Sequence, residues 1–81
     1  MSVSGKGIVL TGGASGLGLA AAKLLAGQGA RLALVDLNPT TLEKAVSELS
    51  KGGAEVHGIV GDIVPRAEAY KLFSQAVEKL R

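Results

Sequence analysis

Thr11-Gly12-Gly13-Ala14-Ser15-Gly16-Leu17-Gly18 follows directly on the apolar run Ile8-Val9-Leu10 and leads into a pattern of helical period. An uninterrupted apolar run of this kind reads as a strand covered on both faces. After the glycines, Leu17, Ala21, Leu24 and Leu25 fall at i, i+4, i+7 and i+8, one helical stripe that Gly27 or Gly29 would end. A strand, a glycine-rich turn and a helix start together make an anion site. The N–H groups of the first turn have no partner within the helix, and the helix dipole adds about half a positive charge there. A side chain at Gly12 would oppose the sharp turn. One at Gly16 would hold a pyrophosphate away from the backbone, and one at Gly18 would keep the helix off the sheet. The loop contains no lysine, which excludes the triphosphate-binding P-loop. A G-x-G-x-x-G fingerprint also fails as written; the spacing present is T-G-x-x-x-G-x-G.

The same alternation continues outward. Leu32-Ala33-Leu34-Val35 reads as a second strand and stops at Asp36. Asn38-Pro39-Thr40 then starts a helix with the stripe Leu42, Ala45, Val46 and Leu49, ended by Gly52-Gly53. Thr40-x-x-Glu43 has the spacing of a capping box. Glu55 to Val60 is a weaker third strand, interrupted by His57 and Gly58 and closed by Gly61-Asp62. A third stripe comprises Ala69, Leu72, Phe73, Ala76, Val77 and Leu80, with Pro65 suited to the first turn and Val64 a poor cap before it. The rhythm β-α-β-α-β-α with short linkers implies an α/β fold of parallel strands joined by right-handed crossovers. It predicts half of a doubly wound parallel (Rossmann) sheet, with residues 1–81 as the nucleotide-binding part of one domain. No internal repeat or linker to a second domain is visible.

Composition narrows the function. The chain has 81 residues, 47% of them apolar and 20% charged, an ordinary soluble globular make-up. Cysteine is absent, which removes disulfides, thiolate nucleophiles and Cys-ligated metals, and fits a reducing, cytoplasmic setting. No apolar run approaches the ~20 residues that cross a bilayer, and the early run Gly7–Leu10 is too short for a signal peptide. The net charge is +2, the basic residues are scattered and only Tyr70 and Phe73 are aromatic, so no nucleic-acid surface is expected. His57 has no Asp or Ser constellation beside it and reads as structural. No metal-ligand spacing is present.

With its T-G-x-x-x-G-x-G loop, the sequence resembles the short-chain dehydrogenase/reductase family. The stretch Gly12 to Ala22 is most similar to the 3-hydroxyacyl-CoA dehydrogenase and 3-oxoacyl reductase branches. Asp36 lies 18 positions beyond Gly18, at the end of the second strand. A carboxylate there can accept hydrogen bonds from both ribose hydroxyls of adenosine, each worth about 1.5–3 kcal/mol when charge-assisted. A 2′-phosphate would instead meet a like charge. Leu37 stands where an NADP-preferring relative often carries Arg or Lys, so the expected cofactor is NAD. The resemblance further implies that Ser15 and the Leu17 backbone N–H hold the pyrophosphate. It also implies that Asp62 accepts from the adenine amino group and that the Ile63 N–H meets a ring nitrogen. The candidate cofactor-binding residues are thus Gly12, Ser15, Gly16, Leu17, Gly18, Asp36, Leu37, Asp62 and Ile63. Against this stand blander alternatives: a glycine turn that merely connects, a solvated turn carboxylate at Asp36, and a helix cap at Asp62.

Family members that transfer hydride use a Tyr and Lys in Y-x-x-x-K, the ammonium lowering the phenol's pKa so that it exchanges a proton with the substrate oxygen. Tyr70 is the one tyrosine here and Ser74, not lysine, stands four residues on. No catalytic residue is therefore assigned. The resemblance implies the N-terminal third of a domain of about 250 residues, whose parent moves hydride between NAD and a small alcohol or ketone. An alternative is a stand-alone half-domain that binds nucleotide or serves in assembly, and a third is a non-catalytic regulator. With no fourth strand beside it, the first strand is an open edge, and the 81-residue chain is expected to form homo-oligomers, such as a dimer with six strands.

Overall fold

The second strand, with apolar side chains at four consecutive positions, takes the centre of the sheet. The computed structural model describes residues 3–14, 16–62 and 66–80. In chain order the elements are β1 (Gly7–Thr11), α1 (Gly16–Gly27), β2 (Arg31–Asp36), α2 (Pro39–Lys51), β3 (Val56–Val60) and α3 (Arg66–Leu80). The sheet order is β1-β2-β3 and both pairings are parallel. Thr11 lies beside Val35, and Asp36 beside Val60, so all three strands end together.

Leu32, Ala33, Leu34 and Val35 are each no more than 1% exposed. Their alternation divides the core into two layers. Leu32 and Leu34 pack with Ala22 of α1 and Leu42, Ala45 and Leu49 of α2. Ala33 and Val35 pack with Leu72, Ala76 and Leu80 of α3 on the opposite face. Two right-handed crossovers stepping the same way put α1 and α2 on one side. α3 returns across β2 and β1 on the other. The order, the parallel strands and the two helical layers are those of the predicted half Rossmann sheet.

Four local expectations need correction. β1 is not covered like β2: Ile8, Val9 and Leu10 are only partly buried, because β1 is an edge. In α1, Leu17 is 89% exposed and Leu24 is also outside the core, whereas Ala22 is fully buried with Leu19, Leu25 and Ala26 beside it. The helix therefore meets the core over Ala22, flanked by Leu19, Leu25 and Ala26. In α3 the stripe is narrower than predicted. Leu72, Ala76 and Leu80 are buried, but Phe73 and Val77 are 42% and 56% exposed, since a three-stranded sheet presents little width. Finally, Thr40 does not cap α2. Asn38 does, its Oδ1 accepting from the Thr40 and Thr41 N–H groups at 3.0 and 3.1 Å, with Pro39 in the first turn where a missing N–H is harmless. The predicted roles of Val64 and Pro65 lie outside the described residues.

Gly29 (φ +87°) ends α1: its N–H reaches the Ala26 carbonyl at 3.0 Å and Ala30 N–H reaches Leu25 at 3.1 Å, the paired bonds of a Schellman motif. At the amino end of the sheet, Arg31 Nη1 donates to the Leu80 carbonyl at 2.6 Å and Nε to Gly5 at 3.1 Å. The guanidinium therefore caps the carboxyl end of α3 and ties it to the start of the chain. His57 pairs with Glu55 at 2.8 Å, a neighbour of Arg31, which leaves it on the structural side of the molecule, away from the strand ends where ligands bind.

Candidate functional site

Because the strands end in register, the backbone beyond them forms one rim. Gly12 N–H donates to the Val35 carbonyl at 2.7 Å, and Gly61 N–H donates to the Asp36 carbonyl at 3.0 Å. Between these links opens a cleft of about 300 Å³, lined by Thr11, Gly12, Val35, Asp36, Leu37, Gly61 and Asp62. It lies where open parallel sheets bind ligands, at the carboxyl ends of the strands. Four of the predicted residues, Gly12, Asp36, Leu37 and Asp62, meet there. A wider depression along α2, lined by Thr40, Glu43, Lys44, Ser47, Glu48 and Lys51, is the solvated face of a single helix.

The glycine loop has the geometry its sequence requires, with one difference. Gly12 and Gly16 have φ of +65° and +57°, the left-handed region in which a Cβ is strained. A Cβ at either would meet nothing within 4 Å, so both stretches of backbone are open on that side. Gly18 is needed for another reason than the one expected. A Cβ there would collide with the carbonyl oxygen of Gly12, so the close approach is between helix and loop, not between helix and sheet. Gly13, which sequence reasoning passed over, is buried, and a Cβ on it would lie 2.8 Å from Leu34 Cδ2. Leu17 projects into solvent at the first turn of α1. Ser15 and Ile63 lie outside the described residues.

Asp36 joins the loop to the cleft. Its Oδ2 accepts from the Ala14 N–H and its Oδ1 from the Asn38 N–H, both at 3.2 Å. Neither donor was singled out from sequence. The Asn38 side chain could have been read as a cap, but its backbone donor, like that of Ala14, carries no residue-type signal. Tyr70 stands exposed on α3 beside Lys71 and takes no part in the cleft. Among the described residues no three His, Cys, Asp or Glu side chains cluster for a metal ion, and no helix is long and apolar enough to cross a membrane.

Residues 6–81 match the short chain dehydrogenase family. The chain belongs to that family. Its relatives include a C alpha-dehydrogenase of Sphingobium sp. (strain NBRC 103272 / SYK-6), 45% identical over 85% of this chain and 22% of the relative. A tropinone reductase homolog of Arabidopsis thaliana is 39% identical over 98% of this chain and 30% of the relative. Among solved structures, a short-chain dehydrogenase/reductase from Burkholderia phymatum in complex with NAD superposes with a TM-score of 0.92. It is 35% identical and matches 99% of this chain and 28% of its own. An NAD+-bound xylitol dehydrogenase gives the same TM-score at 30% identity, over 99% of this chain and 31% of that one. The chain thus spans less than a third of the length of these relatives.

Proposed function

We propose that this segment binds the adenosine and pyrophosphate portion of NAD within an oxidoreductase acting on a small hydroxyl or keto compound. The observation that carries the reading is the 3.2 Å bond from the Ala14 N–H to Asp36, which joins the glycine loop to a carboxylate that lines the cleft at the strand ends. Short-chain dehydrogenase membership and the NAD-bound structures it resembles support the same cofactor.

The residues fit the group. Open backbone at Gly12 and Gly16, with the α1 amino end behind it, suits a pyrophosphate. Leu17 and Ser15 are assigned to that contact as well. Gly18 holds helix and loop together. Asp36 accepts from the ribose hydroxyls with the lone pairs its backbone partners leave over, and exposed Leu37 offers apolar surface to the base. Asp62 and Ile63 are assigned to the adenine edge. Bound NAD supplies a nicotinamide carbon that accepts or releases hydride. Residues 1–81 contribute binding and orientation, and we assign them no proton transfer, because Tyr70 has neither the lysine spacing nor the position. The cysteine-free composition suits a reducing, cytoplasmic setting.

Isothermal titration tests the cofactor. A 2′-phosphate brought against Asp36 meets a like charge, so NAD should bind at least about tenfold tighter than NADP, equivalent to ~1.4 kcal/mol. Equal or tighter binding of NADP would overturn the preference. A second reading, an assembly module, is favoured by one feature, the exposed β1 edge.

A further inference from the structure

Ala14 is 2% exposed and sits in the core with Leu34, yet it lies in the turn between β1 and α1, outside any strand or helix that would pair its N–H. A backbone N–H buried in such a place must find an acceptor. The acceptor is Asp36 Oδ2, twenty-two residues away, at the end of the central strand. The other oxygen, Oδ1, accepts from Asn38, which caps α2 and is exposed. One carboxylate therefore fastens the middle of the glycine loop to β2 and to the α2 start.

From this geometry we propose that Asp36 is a positioning residue for the pyrophosphate loop, in addition to any contact it makes with ribose. It acts through the Ala14 N–H, holding Gly12 and Gly16 at the left-handed angles that keep their backbone open. The consequence separates it from a ribose contact alone. Removing the carboxylate will weaken binding even of a ligand that has no ribose hydroxyls for it to hold. The ligand half of this inference rests on the nucleotide reading above; the loop half does not.

Two substitutions isolate the bond. Asp36→Ala and Asp36→Asn both remove the charge. Asparagine keeps one carbonyl oxygen for the buried Ala14 N–H, while its amide group faces the exposed Asn38 donor, which water can satisfy. The probe is 2′,3′-dideoxyadenosine 5′-diphosphate, which carries the pyrophosphate without the hydroxyls. In the ligand-free protein, amide exchange at Ala14, followed by NMR, should speed up at least tenfold in Asp36→Ala and less than threefold in Asp36→Asn. In calorimetry, Asp36→Ala should bind the probe at least fivefold more weakly than Asp36→Asn. Exchange at Ala14 that is unchanged in Asp36→Ala, or probe affinities alike in the two variants, overturns the proposal. Should the unmodified chain and both variants fail to bind the probe while Ala14 still responds as stated, the loop role stands and the nucleotide reading falls.

Discussion

Alanine at Gly18 is expected to destabilise the fold by about 2–3 kcal/mol and to abolish measurable NAD binding. The added Cβ strikes the Gly12 carbonyl oxygen, with the Gly12 carbonyl carbon at 2.8 Å and Gly13 Cα at 3.1 Å behind it. All three are backbone atoms, so no side chain can swing aside. Either α1 lifts away from the loop or the loop opens, and both movements disturb the proposed pyrophosphate contact. Alanine's better helix propensity returns at most about 1 kcal/mol. Gly27, in the last turn of the same helix, is the control: a Cβ there meets nothing within 4 Å. Gly27→Ala should therefore stabilise the chain by about 0.5–1 kcal/mol. Urea unfolding of the two variants gives the comparison. A Gly18→Ala chain as stable as the unmodified one would refute the packing assigned to this helix start.

The second large effect is on assembly. At concentrations near 100 µM the 81-residue chain should scatter light as a dimer or larger, not as the 8.1 kDa monomer. Among the described residues β1 pairs only with β2, so its other edge offers unpaired N–H and C=O groups. α3, which packs across β1 and β2, also leaves Phe73 and Val77 partly exposed. Two β1 edges related by a two-fold axis would pair antiparallel and give six strands. Light scattering that returns a monomer unchanged over a hundredfold dilution would contradict this.

Much of this architecture was legible because the central strand announces itself. Leu32 to Val35 is apolar throughout, and only a strand covered on both faces needs that. Asp36 was legible by position, standing where a parallel strand gives way to the cleft. Periodicity misled in α1, since it weighs Leu17 and Leu24 above the Ala22 that makes the contact. Bulk was mistaken for burial: the fully buried residue of α1 is Ala22, with Leu19, Leu25 and Ala26 beside it. In α3 the periodicity was sound, but the width of the sheet decides how much of a stripe is used. Thr40 and Asn38 both had cap chemistry, and Pro39 should have decided between them, since it fits the first turn that Asn38 precedes. The Ala14 bond was not legible at all. Every residue but proline carries that donor, and only the folded backbone shows which one a carboxylate will find.

Amide chemical shifts of the 15N-labelled chain during a titration with NAD test the central claim most directly. The account predicts saturable shifts at Gly12, Gly16, Leu17 and Gly18, with others at Asp36, Leu37, Gly61 and Asp62, while the outer face of α2 and the exposed side of α3 stay still. Shifts centred on α2 or α3, or none at the glycine loop while NAD binds, would contradict it.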